Sequence, residues 1–346
     1  MVMFWVAVLA ISMFLYLLLD GFDLGVGILF GLTRSENGRS TMLRAVAPFW
    51  DGNETWLVVS GVVLWSAFPV VYATVLSALY IPVIVMLAGL ILRGVSFEYR
   101  NKTERLRWIW DICFAGGSLA ASFMQGVMVG ALVEGLQFTN GEYSGGALGW
   151  MTSFAMLCGL ALCFGYALLG ACWLVSKAEG QVRDEARRQI PFLATCVLAF
   201  LIVVFCHALL AHLPIMHRWI DRPYLLVFPA IGAVAAWLLA RSILQHNDRW
   251  PFYMVILIFS SAFGTLAVSF WPYMVPFVIT IESAAAPHSS LAFMFWGEGL
   301  FVFPLMLIYA VVGYRVFRGK VPPASGSQQD SGNARFAASG SPHPAE

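Results

Sequence analysis

Apolar runs of about twenty residues, each closed by charge, proline or a polar loop, recur along the chain as far as about residue 320. Twenty helical residues rise about 30 Å, the thickness of a bilayer's hydrocarbon core. The runs therefore predict membrane-crossing helices. Composition agrees, because only 11% of the residues are charged and 60% are hydrophobic, against about 25% charged in soluble domains. The 20 Lys and Arg almost cancel the 19 Asp and Glu, which excludes a basic nucleic-acid binder. Short alternating strands, the mark of an outer-membrane barrel, are missing. The expected fold class is an all-α polytopic membrane protein.

Nine spans are predicted, at 4–30, 55–74, 76–98, 111–134, 147–175, 191–213, 224–243, 252–275 and 290–314. The first lacks a basic leader and reads as a retained helix, not a signal peptide. Between the second and third, Pro69 and Pro82 flank the tightest joint, and the chain must reverse there. With nine spans, 17 of the 20 basic residues fall on one face, Arg218 and Arg222 on the other, and Arg93 inside a span. The positive-inside rule then sets the N-terminus outside and the C-terminus in the cytoplasm. Trp108, Trp110, Trp150, Trp219, Trp250 and Trp271 are expected near span ends, at headgroup depth. Residues 1–320 form the membrane domain, and 321–346, rich in Pro, Ser, Gly and Ala, read as a disordered cytoplasmic tail. The six cysteines form no CxxC pair and read as small apolar side chains.

A charge within a span must be paired, neutralised or hydrated, so the informative residues are the few ionisable ones there. Asp20 and Asp23 lie three apart on one helix face. Gly21 and Gly25, then Gly27 and Gly31, make two small-xxx-small spacings that admit a neighbouring backbone. The two carboxylates can form a protonatable pair inside protein, or simply hydrate the helix end. Asp51, Asn53 and Glu54 stand between Trp50 and Trp56 at the start of the second span. One of them could cap the helix, or together they could line the mouth of a proton-conducting network. Arg93 could snorkel to water or pair with Asp20, Asp23, Asp51 or another acidic group.

Weaker signals follow. Glu98 and Arg100 suit a helix-end ion pair, Glu298 sits between glycines in the last span, and Glu134 and Glu282 fall near the outer edge. His207 and His212 are five apart and point to different sides of one helix, so they make poor joint ligands. Each reads as a hydrogen-bonded histidine ahead of a haem ligand.

The stretches DGFDLGVG at 20–27, PFWDGNETWL at 48–57 and LRGVSFEYR at 92–100 together resemble subunit II of the cytochrome bd-type quinol oxidases. The short loops look closer to the cyanide-insensitive terminal oxidase branch. The resemblance implies a bacterial inner-membrane respiratory complex that oxidises quinol and reduces O2 to water. It implies a haem-bearing subunit I as partner, carrying two b-type haems plus a d-type or a third b-type haem. It allows a small accessory membrane subunit and, in some members, a structural quinone. For this chain it implies two four-helix bundles with a peripheral ninth helix, no haem ligation of its own, and a role in assembly. Carried onto this sequence, Asp51 matches an acid proposed at the cytoplasmic entrance of a proton route. Trp50 belongs to the same motif, Asp23 is another expected functional position, and Asp20 and Arg93 match motif residues with less defined roles. Two other readings fit the residues alone: a secondary transporter with midplane charges, and a purely structural membrane subunit.

Overall fold

The computed structural model describes residues 1–103, 105–139, 142–211, 219 and 222–322. The expected tail from residue 323 onward, His212 and Arg218 lie outside them. The described residues are mostly helical: α1 (Val2–Leu32), α2 (Glu36–Val46), α3 (Trp50–Ala67), α4 (Pro69–Tyr99), α5 (Arg107–Glu134), α6 (Ser153–Lys177), α7 (Gln181–Leu210), α8 (Val227–Leu244) and α9 (Trp250–Phe270). A short α10 (Ile281–Ala284), α11 (His288–Met294), a π turn (Phe295–Gly299) and α12 (Val302–Val316) complete it. Two small antiparallel hairpins, Phe138–Thr139 with Glu142–Tyr143 and Tyr273–Val275 with Ile279–Thr280, close loops at the end of the molecule opposite Arg100.

Among the described residues, eight helical segments are long and apolar enough to cross a membrane. They are α1, α4, α5, α6, most of α7, α8 with its preceding turn, α9, and the composite His288–Val316. The 18-residue α3 is not among them. Its length spans about 27 Å, but Asp51, Asn53 and Glu54 dilute its first turns.

The chain reverses at Phe68, several residues before the joint expected near residue 75. Phe68 leaves helical geometry at φ −134°, ψ 58°, and Pro69 opens α4 where its missing N–H costs no hydrogen bond. The second proline of that joint acts differently. Pro82 lies inside α4, just after the non-helical Leu79, and bends a helix that continues through the expected boundary. The loop expected after the first span holds α2, capped by Ser35, whose hydroxyl accepts from the Gly38 N–H. Its Met42, Leu43, Ala45 and Val46 are buried under the bundle. Trp108, Trp250 and Trp271 are exposed at helix ends as expected, whereas Trp150 is buried, its indole donating to the Ala147 carbonyl at 2.8 Å.

Small residues decide how α1 is seated. A Cβ on Gly25 would stand 1.8 Å from the Tyr166 carbonyl oxygen, and one on Gly27 would stand 2.0 Å from Ser118 Oγ. One glycine pair therefore admits α6 and the other admits α5, so α1 touches both backbones closely. α1 also lies along α3, while α4 lies against α5 and α6 against α7. α8 pairs with α9, which reaches back to α6. The core runs along α6, where every residue from Tyr166 to Val175 is buried. By contrast α12 has no buried residue.

Candidate functional site

Three helices carry the three polar motifs to one place inside this apolar core. Asp20 and Asp23 come from α1, Asn53 and Glu54 from the first turns of α3, and Arg93 from α4. Asp20, Asp23, Asn53 and Arg93 are each at most 2% exposed. Arg93 Nη2 donates to Asp20 Oδ1 at 2.7 Å and to Glu54 Oε1 at 2.5 Å. The snorkelling alternative for Arg93 is thereby excluded, since its side chain is 1% exposed. Glu54, with a side chain 25% exposed, is where the cluster reaches the surface.

Asn53 ties in the second aspartate. Its Nδ2 donates to Asp23 Oδ2 at 2.6 Å and to the Leu19 carbonyl at 3.1 Å, while its Oδ1 accepts from the Tyr314 hydroxyl at 2.9 Å. No side chain caps α3, whose N-cap is Phe49, so the capping role open to Asp51, Asn53 or Glu54 is not the one used.

The cluster is polar beyond what its protein partners satisfy. Asp20 Oδ2, Asp23 Oδ1 and Arg93 Nε and Nη1 are buried with no hydrogen-bond partner. Three carboxylates, Asp20, Asp23 and Glu54, share a single guanidinium. Such groups are expensive away from water unless paired or hydrated.

Other expected positions lie apart. Asp51 is exposed at the start of α3, outside the hydrogen-bonded cluster, although its charge acts on Glu54. Trp50 stacks on Phe97 with centroids 4.9 Å apart and planes 8° apart. Gly94 makes room for that indole, because a Cβ there would stand 3.3 Å from it. Glu98 does not pair with Arg100; it makes an exposed ion pair with Lys102 at 3.2 Å. Arg100 is buried and bonds Asp111 through Nε at 2.5 Å and both Glu36 oxygens through Nη2 at 3.0 and 2.9 Å. Arg39 reaches Asp111 and Arg107 reaches Glu36, completing a staple between α2, α4 and α5. Glu298 is exposed in the π turn, while the neighbouring Gly299 packs against Phe4 and Trp5. Glu134 hydrogen-bonds the Thr152 hydroxyl.

Sequence reasoning missed Tyr314, 261 positions from Asn53. It also missed a buried trio in which Tyr166 donates to Gln125 Oε1 at 2.7 Å and Gln125 Nε2 donates to Tyr16 at 2.8 Å. Tyr16 sits one turn before Asp20 on α1. Gln125, a lone amide in an apolar run, was the signal available.

His207 stacks on Phe154 with centroids 5.0 Å apart. Among the described residues, no group of three or more His, Cys, Asp or Glu is arranged to hold a metal.

The sequence profile described as cytochrome bd terminal oxidase subunit II matches residues 1–317. A Haemophilus influenzae protein described as a probable cytochrome oxidase subunit 2 is 31% identical over 326 residues, covering 85% of each chain. Subunit 2 of the Escherichia coli K12 cytochrome bd-I ubiquinol oxidase is 27% identical, over 92% of this chain and 94% of that one. Its Bacillus subtilis cytochrome bd counterpart is 28% identical, over 92% and 96%. In fold, the chain is similar to one from the bd oxidase of Geobacillus thermodenitrificans, with a TM-score of 0.75 at 16% identity over 91% of this chain and 96% of the other. This multi-pass bacterial membrane protein belongs to the cytochrome bd terminal oxidase subunit II family.

Proposed function

We propose that this chain is the subunit of a quinol:O2 oxidase that delivers protons from the cytoplasm toward a haem-bearing partner and supports that partner's assembly. The family places it in a respiratory oxidoreductase complex. In this reading the partner carries two b-type haems with a d-type or third b-type haem, which supply electron transfer and O2 reduction.

The membrane arrangement belongs to the same proposal. α3 is taken as a ninth crossing, with the N-terminus outside and the C-terminus in the cytoplasm. α1, α3, α4 and α5 form one four-helix bundle, α6 to α9 the other, and the last helix is peripheral. The end rich in Arg and Lys then faces the cytoplasm. The short loops favour the cyanide-insensitive branch.

The observation that carries the proton role is the under-satisfied cluster of Asp20, Asp23, Glu54 and Arg93. Reducing one O2 to two waters takes up four protons, while oxidising two quinols releases four. If release is outside and uptake is inside, the reaction charges the membrane without a pumping cycle. Proton uptake needs carboxylates that can accept and pass a proton on. Asp51, exposed at the mouth, attracts protons; Glu54 links surface to interior; Arg93 holds Asp20 and Glu54 in place; and Asp23, with one oxygen free of protein partners, accepts and releases the proton.

The test uses the complete oxidase with Asp23→Asn or Asp51→Asn, with haem content read from reduced-minus-oxidised spectra and turnover from O2 consumption per haem. The expected result is full haem loading with turnover lowered about tenfold or more in Asp23→Asn, and less in Asp51→Asn, whose side chain is exposed. Normal turnover in Asp23→Asn contradicts the proton role. Turnover that falls only in step with haem content favours the purely structural subunit.

A further inference from the structure

Tyr314 belongs to the last helix, yet it is the residue that completes the hydrogen bonding of Asn53. The Asn53 amide has one workable orientation. Its Nδ2 faces two acceptors, Asp23 Oδ2 and the Leu19 carbonyl, and its Oδ1 faces the Tyr314 hydroxyl. Turning the amide over would set Oδ1 against the Leu19 carbonyl, an acceptor only, and would leave Nδ2 facing the Tyr314 hydroxyl in place of the Asp23 carboxylate. Donation from Tyr314 also polarises the amide and strengthens the Nδ2–H bond to Asp23.

The Tyr314 ring is held independently of its hydroxyl. It stacks on Phe49 at 4.7 Å with planes 23° apart, and it meets Trp173 and Phe22 edge-on, each at 6.4 Å. The segment 317–322 is then strapped across the basic end of the molecule. Lys177 Nζ donates to the Phe317 carbonyl at 2.6 Å, and the Val321 N–H donates to the Lys177 carbonyl at 2.7 Å. Arg44 donates to the Pro322 carbonyl at 2.9 Å, and Lys320 lies 3.7 Å from Asp248. Because α12 has no buried residue, the contacts from Tyr314 onward are what fix this end of the helix.

We propose that Tyr314 is a positioning residue for the carboxylate of Asp23, acting through the Asn53 amide and held by the strap 317–322. The last helix thereby takes part in the proton site, although most of it lies outside the core. The inference rests on the proton-delivery reading of Asp23.

The experiment compares Tyr314→Phe, Asn53→Ala and the double variant in the complete haem-loaded oxidase, with Asp23→Asn alongside. Turnover is expressed per haem, so that any loss of assembly is separated from loss of rate. Tyr314→Phe keeps the ring contacts and removes only the hydroxyl. Its expected effect is a kcat lowered about 3- to 10-fold, the scale of one buried neutral hydrogen bond, with KM for quinol unchanged and a larger solvent deuterium isotope effect. In the Asn53→Ala background, adding Tyr314→Phe should change nothing further. A wild-type kcat per haem and isotope effect in Tyr314→Phe, or full additivity with Asn53→Ala, overturns the inference. If Asp23→Asn itself turns over normally, the parent reading has failed. If Asp23→Asn is impaired and Tyr314→Phe is not, only the present inference has failed.

Discussion

Two buried arginines, Arg93 on α4 and Arg100 just past its end, stand two turns apart, each 1% exposed, and they are used in opposite ways. Arg100 engages Asp111 with Nε and both oxygens of Glu36 with Nη2. Its neighbours Arg39 and Arg107 bring the group to three cations against two carboxylates. Those partners lie at the edge of the bundle, Glu36 with a side chain 48% exposed. Arg93 faces three carboxylates alone, donates through Nη2 only, and leaves Nε and Nη1 unpartnered. The first arrangement is a staple in which cations outnumber carboxylates and Glu36 reaches the surface, although Arg107 Nε is buried without a partner. The second holds excess negative charge where water is scarce, a state that is costly unless a proton or hydrating water joins it. Burial and ion pairing are therefore common to both groups, and the balance of carboxylates to cations is what sets them apart.

The largest expected effect separates the two. Arg93→Met strands Asp20 in the core and leaves the half-buried Glu54 without its partner, a loss of about 3–5 kcal/mol. The apparent melting temperature of the purified complex and its haem content should both drop sharply. An Arg93→Met complex as stable as wild type breaks the comparison at its root. Arg100→Leu is intermediate. It removes charged hydrogen bonds of about 2 kcal/mol in sum, because Glu36 can turn to water and Arg39 still meets Asp111. Melting should shift modestly while turnover per haem stays at the wild-type value; a deep loss of turnover there makes the staple part of the site. The smallest effect belongs to Glu98→Gln. Its pair with Lys102 is exposed on both sides and should matter by less than about 0.5 kcal/mol, measurable as an unchanged melting curve.

Much of this architecture is legible in the sequence. Long apolar runs translate directly into helices, and the spacing of Gly21, Gly25, Gly27 and Gly31 anticipates the close seating of α1. Charges placed where lipid cannot hold them point to Asp20, Asp23 and Arg93, and pairing between Arg93 and Asp20 follows from the same cost. Helix phase is harder to read. Asp51, Asn53 and Glu54 are adjacent in sequence, but the geometry at Phe49 fixes where α3 starts, and that start turns Asn53 inward and Asp51 outward. The turn at Phe68 was missed because two prolines bracket a uniformly apolar stretch, and only packing decides which one ends a helix. Arg100 looked like a partner for the nearby Glu98, whereas its partners Glu36 and Asp111 arrive from other helices. Tyr314 carries no local signal at all; its role exists only once the last helix returns to the start of α3.

The central claim is that the Asp23 carboxylate carries protons taken up from the cytoplasmic side during O2 reduction. It is tested most directly by mixing the fully reduced complete oxidase with O2 and following proton uptake with a pH-sensitive dye, in wild type and in Asp23→Asn. The account predicts that the variant, with its full haem complement, takes up protons markedly more slowly than wild type while O2 binding keeps its rate. Proton uptake at the wild-type rate in Asp23→Asn contradicts it.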